Sequence, residues 1–385
     1  MVDFRPKFEP VSSKINFPEL EKATLSRWKE SDTFHKIEEI RKGSPNFIFY
    51  EGPPTANGNP GIHHVLSRVF KDVIIRYWTM RGYYPLRRGG WDTHGLPVEL
   101  EIEKELGLSS KREVEEYGIE KFNQRCRESV FRYVKEWEQM TERAGVWLDM
   151  ENAYVTYDNK YIETGWGIFK KLWDRNLVYE GYKVTPHCPR CVTSLSSHEV
   201  ALGYQEDTPD PSIYVRFPLN GSQSSASEKV LSQMGYDNNS GDWGAEGAPS
   251  LLIWTTTPWT LTANTAATIA PDQEYILVQS SAGEVRERLI LARELKHEVL
   301  GEEWDEIERF KGTDLSGLRY CPPYIPEELF QHAHKIYPAE FVTVDSGTGI
   351  VHNAPAYGAD DQELGRAHQL PTVHTIDIRG VLQGN

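Results

Sequence analysis

Cysteine is scarce in this chain: Cys126, Cys188, Cys191 and Cys321 are the only four among 385 residues. So few exclude a disulfide-built scaffold and fit a reducing compartment. Long apolar runs are missing too, and no segment approaches the roughly 20 residues that a membrane-spanning helix needs. The opening MVDFRPKFEP holds no apolar signal segment, so the expected location is the cytoplasm, with no membrane association. There is no excess of positive charge: 42 basic against 57 acidic side chains leave −15. That balance argues against a protein that coats polyanions and leaves only local basic patches open. The two candidates, Arg87-Arg88 and Lys111-Arg112, read best as solvated surface charge. No internal repeat is present. The rest is ordinary for a globular chain, with 39% hydrophobic and 26% charged residues, and the length allows two or three domains.

The pattern of elements points to an α/β fold. Residues 17–42 form an amphipathic helix or helix pair ending at Gly43. FIFYEG (47–52) reads as a buried strand. A helix is expected from about His63 to Arg81, with Leu66, Val69, Phe70, Val73, Ile74, Tyr77 and Trp78 as its apolar positions and Gly82 at its end. A second strand, YYPLRRG, and a helix after GWDTHGLP follow. Strand, loop, helix, strand opens a βαβ unit and hence a parallel sheet. Residues 119–144 are expected to form one long amphipathic helix with Cys126 on its core stripe. Beyond Leu202 the texture changes to short β-type runs (IYVRF, LLIW, YILVQ, FVTV, GIVH), the mark of a second, β-rich domain. Within it, residues 219–250 are rich in Ser, Gly, Asn and Asp and read as a surface insertion.

Chemistry concentrates between Glu51 and His64, EGPPTANGNPGIHH. A glycine-rich turn feeding a helix N-terminus is an anion site, because free N–H groups and the helix dipole face the ligand. The segment is neither a G-x-x-x-x-G-K-[ST] nor a G-x-G-x-x-G loop. It carries imidazoles instead, which can donate hydrogen bonds to phosphoryl oxygens during transfer. Taken alone, His63-His64 is just a helix start that holds two histidines.

Three further segments change that reading. EGPPTANGNPGIHH and GWDTHGLPVE (90–99) together resemble class I aminoacyl-tRNA synthetases, and the second resembles the isoleucine members specifically. LLIWTTTPWTLTANTA (251–266) and VDSGTGIVHNAPAYGADD (344–361) resemble the two signatures of that family's editing site. The resemblance covers essentially the whole chain. It implies the first half of a Rossmann-like parallel-sheet catalytic domain with an inserted β-rich editing domain. The corresponding boundaries are 1–44 for an N-terminal helical segment, 45–180 for the catalytic half, 181–200 for a zinc-knuckle-like connector and 201–385 for the editing domain.

The implied reaction is isoleucine-tRNA ligation: isoleucine and ATP, with Mg2+, give the adenylate and pyrophosphate, and the aminoacyl group passes to tRNA(Ile). Gly61, His63, His64 and Asn57 are then the ATP-facing candidates. Asp92 pairs with the substrate ammonium, Gly52 and Pro53 line the side-chain pocket, and His94 either shapes that pocket or supports it. The family's H-x-G-H falls on Gly61-Ile62-His63-His64, so the first histidine and the glycine are exchanged. His63 either crowds the space the glycine would leave or swings round to replace the missing imidazole. In the editing domain, Asp361 is implied to bind the ammonium of misattached valine. Thr255, Thr256, Thr257, Asn264 and His352 line the pocket around the ester.

HCPRC (187–191) places Cys188 and Cys191 at the spacing of half a structural zinc site, which His187, His198 or a remote group could complete. The same stretch resembles the family's knuckle, whose second cysteine pair does not occur by residue 385. Cys321 reads as structural. No KMSKS-like lysine loop or anticodon-binding region occurs either. The resemblance therefore implies an N-terminal portion of a larger, monomeric synthetase, one that does not activate isoleucine by itself. A free-standing deacylase and a non-catalytic tRNA-binding paralogue are the alternatives.

Overall fold

A computed structural model describes residues 13–55, 58–202, 205–221, 228–244, 247–281, 286–324 and 333–383. The chain divides into two compact units, 1–180 and 181–385. Among the described residues no helix is long and apolar enough to cross a membrane.

The first unit begins with α1 (Phe17–Glu30) and α2 (Thr33–Arg41). Asn16 caps α1 by accepting the Glu19 N–H. Then come β1 (Asn46–Tyr50), α3 (Ile62–Met80), β2 (Tyr84–Trp91), α4 (Leu96–Leu106), α5 (Lys111–Tyr117), α6 (Ile119–Val130), α7 (Val134–Arg143), β3 (Asp149–Val155) and α8 (Asn159–Asp174). The three strands form one parallel sheet in the order β1-β2-β3. Trp91, Val98, Val130 and Trp137 make the central core of this unit, with Ile102, Val114 and Phe122 in a second cluster.

Three expectations are corrected here. The long helix over 119–144 is two helices, broken at 131–133. The Ser129 hydroxyl bonds back to the Cys126 carbonyl and the Arg132 N–H turns to Ser129, which tightens and ends the helix. Cys126 still packs against both clusters, and burial pushes its thiol up to about 11.

The second correction concerns α3, whose buried residues are Arg68, Asp72, Ile75 and Thr79, while Leu66, Phe70, Val73 and Tyr77 stay exposed. The helix turns this stripe inward where Asp72 and Thr79 find partners on other elements and Arg68 lies over Trp137. Asp72 accepts from Arg76 and from the Trp147 N–H. Thirdly, Arg87 is no surface charge. It is 1% exposed on β2, donates to Thr79 Oγ1 at 3.0 Å and faces Asp72. Burial brings its pKa down to about 10.

The second unit carries β4 (His187–Cys188), β5 (Thr193–Ser194) and α9 (Ser197–Leu202) ahead of the main sheet. That sheet is built from β6 (Ile213–Asn220), β7 (Ser250–Thr255), β8 (Ala266–Ile269), β9 (Glu274–Ser280), β10 (Arg288–Ala292), β11 (Trp304–Lys311), β12 (Arg319–Tyr320), β13 (Lys335–Pro338) and β14 (Ile350–Asn353). Its order is β11-β9-β10-β7-β6-β12-β13-β8-β14. The short helices α10 (Glu228–Gln233), α11 (Lys296–Leu300) and α12 (Gly312–Leu315) lie between strands, and α13 (Ala359–His368) follows β14. Phe217, Leu251, Ile253, Leu277, Ile290 and Ile336 fill one continuous core.

FVTV (341–344) is not a strand but a turn region that buries Val342. Nor is 219–250 merely a surface insertion: Val230, Leu231, Met234 and Tyr236 pack into the core. Its polar composition hid a short apolar set at helical spacing. Cys321 is exposed.

Candidate functional site

The first unit has a cleft of about 340 Å³ just beyond the carboxyl ends of β1 and β2. Ligands of open parallel sheets sit at such strand ends. Glu51, Gly52 and Pro54 line it from the loop after β1. His64, Ser67, Arg68 and Lys71 line it from α3, and Trp137 from α7. His64, Arg68 and Lys71 stand at i, i+4 and i+7, so a single helix face presents all three.

Their pairing decides what the cleft can hold. Lys71 is ion-paired with the buried carboxylate of Glu51. Arg68 is 2% exposed, and among the described residues nothing accepts from either of its terminal nitrogens. Its guanidinium lies 5.3 Å from the centre of the Trp137 ring, and the indole N–H is tied to the Gly58 carbonyl at 2.9 Å. A buried cation with unused donors is costly unless an anion completes it. The Gly61 N–H donates to His64 Nδ1 at 2.9 Å. That places the proton of the neutral ring on Nε2, which is left to donate. Burial, together with His63 and Arg68, holds His64 below the usual histidine range, so the neutral form prevails near pH 7.

The remaining candidates of this unit fall into a neighbouring group. Pro54, not Pro53, lines the cleft, and Asp92 is joined to it through its N–H on the Pro54 carbonyl. Thr156, at the end of β3, contacts Asp92 Oδ1 at 3.4 Å and His94 Nδ1 at 3.0 Å, and accepts from the Thr93 N–H. Asp92 and His94 are thus brought together by a threonine more than sixty residues away in sequence. His63 is exposed, and its ring lies against that of His64 at a tilt of 46°. Asn57 lies outside the described residues.

In the second unit Thr255 and Thr257 hydroxyls meet at 3.3 Å, and Thr260 extends the group to His352. The Thr260 hydroxyl donates to the Thr257 carbonyl, so it accepts from His352 Nε2 at 2.9 Å. Asp361, in the first turn of α13, accepts from Asn353 Nδ2 and from the Ala354 N–H, both at 3.0 Å. Asp360 is exposed, so the two adjacent aspartates differ in kind. Burial raises Asp361 above the usual carboxyl range, partly offset by the Ala354 amide. Thr256 is exposed.

Asn264 departs from expectation. It is fully buried, its oxygen takes the Tyr320 hydroxyl at 2.7 Å and its amide donates to the Ala266 carbonyl. With both ends used inside the core it is framework, not pocket lining.

His352 makes the second unit acid-sensitive. Burial brings its pKa down to about 4 from 6.5. As pH falls below 6.5 the unfolded chain takes up a proton that the folded one refuses, so stability is lost down to about pH 4. The loss is on the order of 3 kcal/mol, and His334, also lowered mainly by burial, adds in the same direction. Urea midpoints at pH 7 and 4.5 should show this fall, and His352→Gln should remove most of it. An unchanged slope in that variant would refute the assignment.

Cys188 ends β4, opposite Thr193 of β5, and Cys191 lies in the turn between them with its N–H 3.4 Å from Cys188 Sγ. His187 donates Nε2 to the Ile378 carbonyl at 2.7 Å. Among the described residues no three His, Cys, Asp or Glu converge. Two thiols are half the set a structural zinc takes, so these residues do not hold zinc by themselves.

The family described as tRNA synthetases class I (I, L, M and V) matches residues 23–352. The chain belongs to that family. Among curated relatives, this class I synthetase chain is 47% identical to an isoleucine–tRNA ligase of Dehalococcoides mccartyi over 399 residues, covering 98% of the chain and 38% of the relative. It is 52% identical to an isoleucine–tRNA ligase of Thermus thermophilus over 367 residues, covering 95% and 33%. The synthetase chain thus spans about a third of the length of these relatives.

Arg68, Lys71, Glu51, Trp137, Thr156 and Thr260 were not singled out from the sequence. For Arg68 and Lys71 a signal existed, since charged residues recur at helical spacing from His64. Thr260 lay inside the quoted segment 251–266, whereas Trp137 and Thr156 carried no such signal.

Proposed function

We propose that the protein containing this chain activates isoleucine with Mg2+-bound ATP and transfers it to tRNA(Ile). The observation that carries this is the buried Arg68, whose two terminal nitrogens find no acceptor among the described residues, beside the Nε2 donor of His64 in the cleft. The isoleucine carboxylate oxygen attacks the α-phosphorus; the new O–P bond forms as the bond to the pyrophosphate oxygen breaks. His64 and Arg68 offset negative charge on the phosphates, and Asp92 orients the ammonium. The substrate brings its own nucleophile, so the protein contributes position and electrostatics.

The threonine–His352 group and Asp361 are assigned to hydrolysis of valyl-tRNA(Ile). One methylene is worth only about 1–3 kcal/mol in a single binding step, so a second sieve is needed. Residues 1–44 and 45–180 are taken as helical segment and catalytic half, 181–200 as connector and 201–385 as editing domain. The exposed apolar stripe of α3 suits burial by further protein. A cytoplasmic monomer, with Cys188 and Cys191 completed to a zinc site by residues elsewhere, is part of this reading.

Isoleucine-dependent ATP–pyrophosphate exchange by the whole protein tests the proposal. Hydrolysis of valyl-tRNA without exchange would instead establish a deacylase. tRNA binding with neither activity would establish a paralogue.

A further inference from the structure

Thr156 lies in none of the segments that carry the sequence motifs, yet the parallel sheet brings it to Asp92. Asp92 follows β2, and the register with β3 sets Gly90 beside Tyr154 and Trp91 beside Val155. One step further on, the Thr156 N–H donates to the Trp91 carbonyl at 3.1 Å. From the other side the Asp92 N–H donates to the Pro54 carbonyl at 3.1 Å, and Thr55 bridges to Asp92. The loop after β1 thus pins the backbone of Asp92, while the contact on its carboxylate comes from the end of β3.

A threonine hydroxyl has one proton and two lone pairs. Around Thr156 Oγ1 the Thr93 N–H stands at 3.0 Å, the Thr93 hydroxyl at 3.1 Å, His94 Nδ1 at 3.0 Å and Asp92 Oδ1 at 3.4 Å. The N–H can only donate, so it takes one lone pair. The carboxylate can only accept, so it takes the proton. The second lone pair is left for the His94 ring or the Thr93 hydroxyl, and the latter is already engaged by the Tyr157 N–H at 3.0 Å. Filled from His94 Nδ1–H, it leaves Nε2 of the neutral ring as an acceptor. Both threonines are buried, so these partners and not solvent decide where the proton lies. A carboxylate and a ring nitrogen that both accept suit an ammonium group, which only donates.

We infer that Thr156 is the positioning residue of the ammonium site: its hydroxyl fixes the rotamer of Asp92 and the tautomer of His94. The identity of the ligand rests on the activation reading above, but the role of Thr156 is tested separately. Threonine suits the task because its branched Cβ restricts χ1. Valine keeps that shape without the hydroxyl, and serine keeps the hydroxyl without the methyl.

The test uses the whole protein and isoleucine-dependent ATP–pyrophosphate exchange. Thr156→Val is expected to raise the KM for isoleucine about 10-fold, the scale of one hydrogen bond, with kcat and the KM for ATP within about 2-fold of the parent. Isoleucinol, which keeps the ammonium and lacks the carboxylate, should weaken as a competitive inhibitor by the same factor. Thr156→Ser is expected to restore both to within a few-fold. In an Asp92→Asn background Thr156→Val should add nothing, since it acts through Asp92. Thermal melts show which variants fold. Should valine not fold, Thr156→Cys replaces it: its thiol bonds weakly, so isoleucine and isoleucinol should again weaken together.

An unchanged isoleucine KM in the valine variant, or in the cysteine variant where that replaces it, overturns the inference and leaves the activation reading standing. So does an equal rise in the KM for ATP, the mark of a merely structural role, or an additive effect with Asp92→Asn. A parent without exchange removes the activation reading; isoleucinol binding by calorimetry that still depends on the Thr156 hydroxyl would keep this one.

Discussion

Arg68→Met is expected to raise the melting temperature of the protein while lowering ATP–pyrophosphate exchange about 10²-fold. The two effects have one cause. Arg68 is almost wholly buried with two nitrogens that nothing in the described fold accepts from. A buried polar group left unpaired costs about 1–3 kcal/mol, and more when charged. Methionine keeps the unbranched stem and removes that penalty. The lost stacking on Trp137 offsets on the order of 1 kcal/mol. A net gain near 1 kcal/mol corresponds to roughly 2–4 °C for a unit of this size. The same change removes the guanidinium from the phosphates, where a donor is worth about 10²–10³ in rate. Glu51 does not become an orphan, because Lys71 still neutralises it. A variant that melts lower and exchanges normally would show Arg68 to be a packing residue.

Asp361→Asn is expected to abolish removal of valine from tRNA(Ile) while the fold stays intact. Discrimination would then fall to what one binding step can give, about 10–200-fold. Asparagine can still accept the Ala354 N–H through its oxygen, and its amide can donate to Asn353 Oδ1 once the Asn353 side chain flips, which keeps the two contacts that hold Asp361 in place. What it cannot supply is the negative charge for the substrate ammonium. Asp361→Ala should accumulate valyl-tRNA too, but at a cost in stability, since it strands both donors. The asparagine variant therefore separates charge from architecture, and retention of deacylation in it would refute the role. Gly358 limits what else this site tolerates. A Cβ there would lie 2.6 Å from Asp361 Oδ2, so Gly358→Ala should push the carboxylate aside.

Much of the architecture was legible because it is local. The strand–loop–helix–strand opening from 46 to 91 follows from runs and breaks read along the chain. The failures share a different cause. The α3 stripe was assigned to the core by hydrophobicity, whereas Arg68 and Asp72 face inward because partners on other elements pair or stack with them. The apolar residues of α10 were masked by the polar composition around them. Asn264 looked like pocket lining beside the threonine run, but Tyr320 claims it in the core.

The sequence by itself determined the family, the order of the elements and the identity of the chemical groups. His64, Arg68 and Lys71 share a face because a helix repeats every 3.6 residues wherever it is placed. Only the tertiary structure decided which of those groups are free to act. Whether a charge is spent or available depends on neighbours far along the chain. Glu51 quenches Lys71 and leaves Arg68, and Thr156 gathers Asp92 and His94. The ring of His63 fills the gap that Gly61 leaves, a fit set by side-chain direction and not by spacing in sequence.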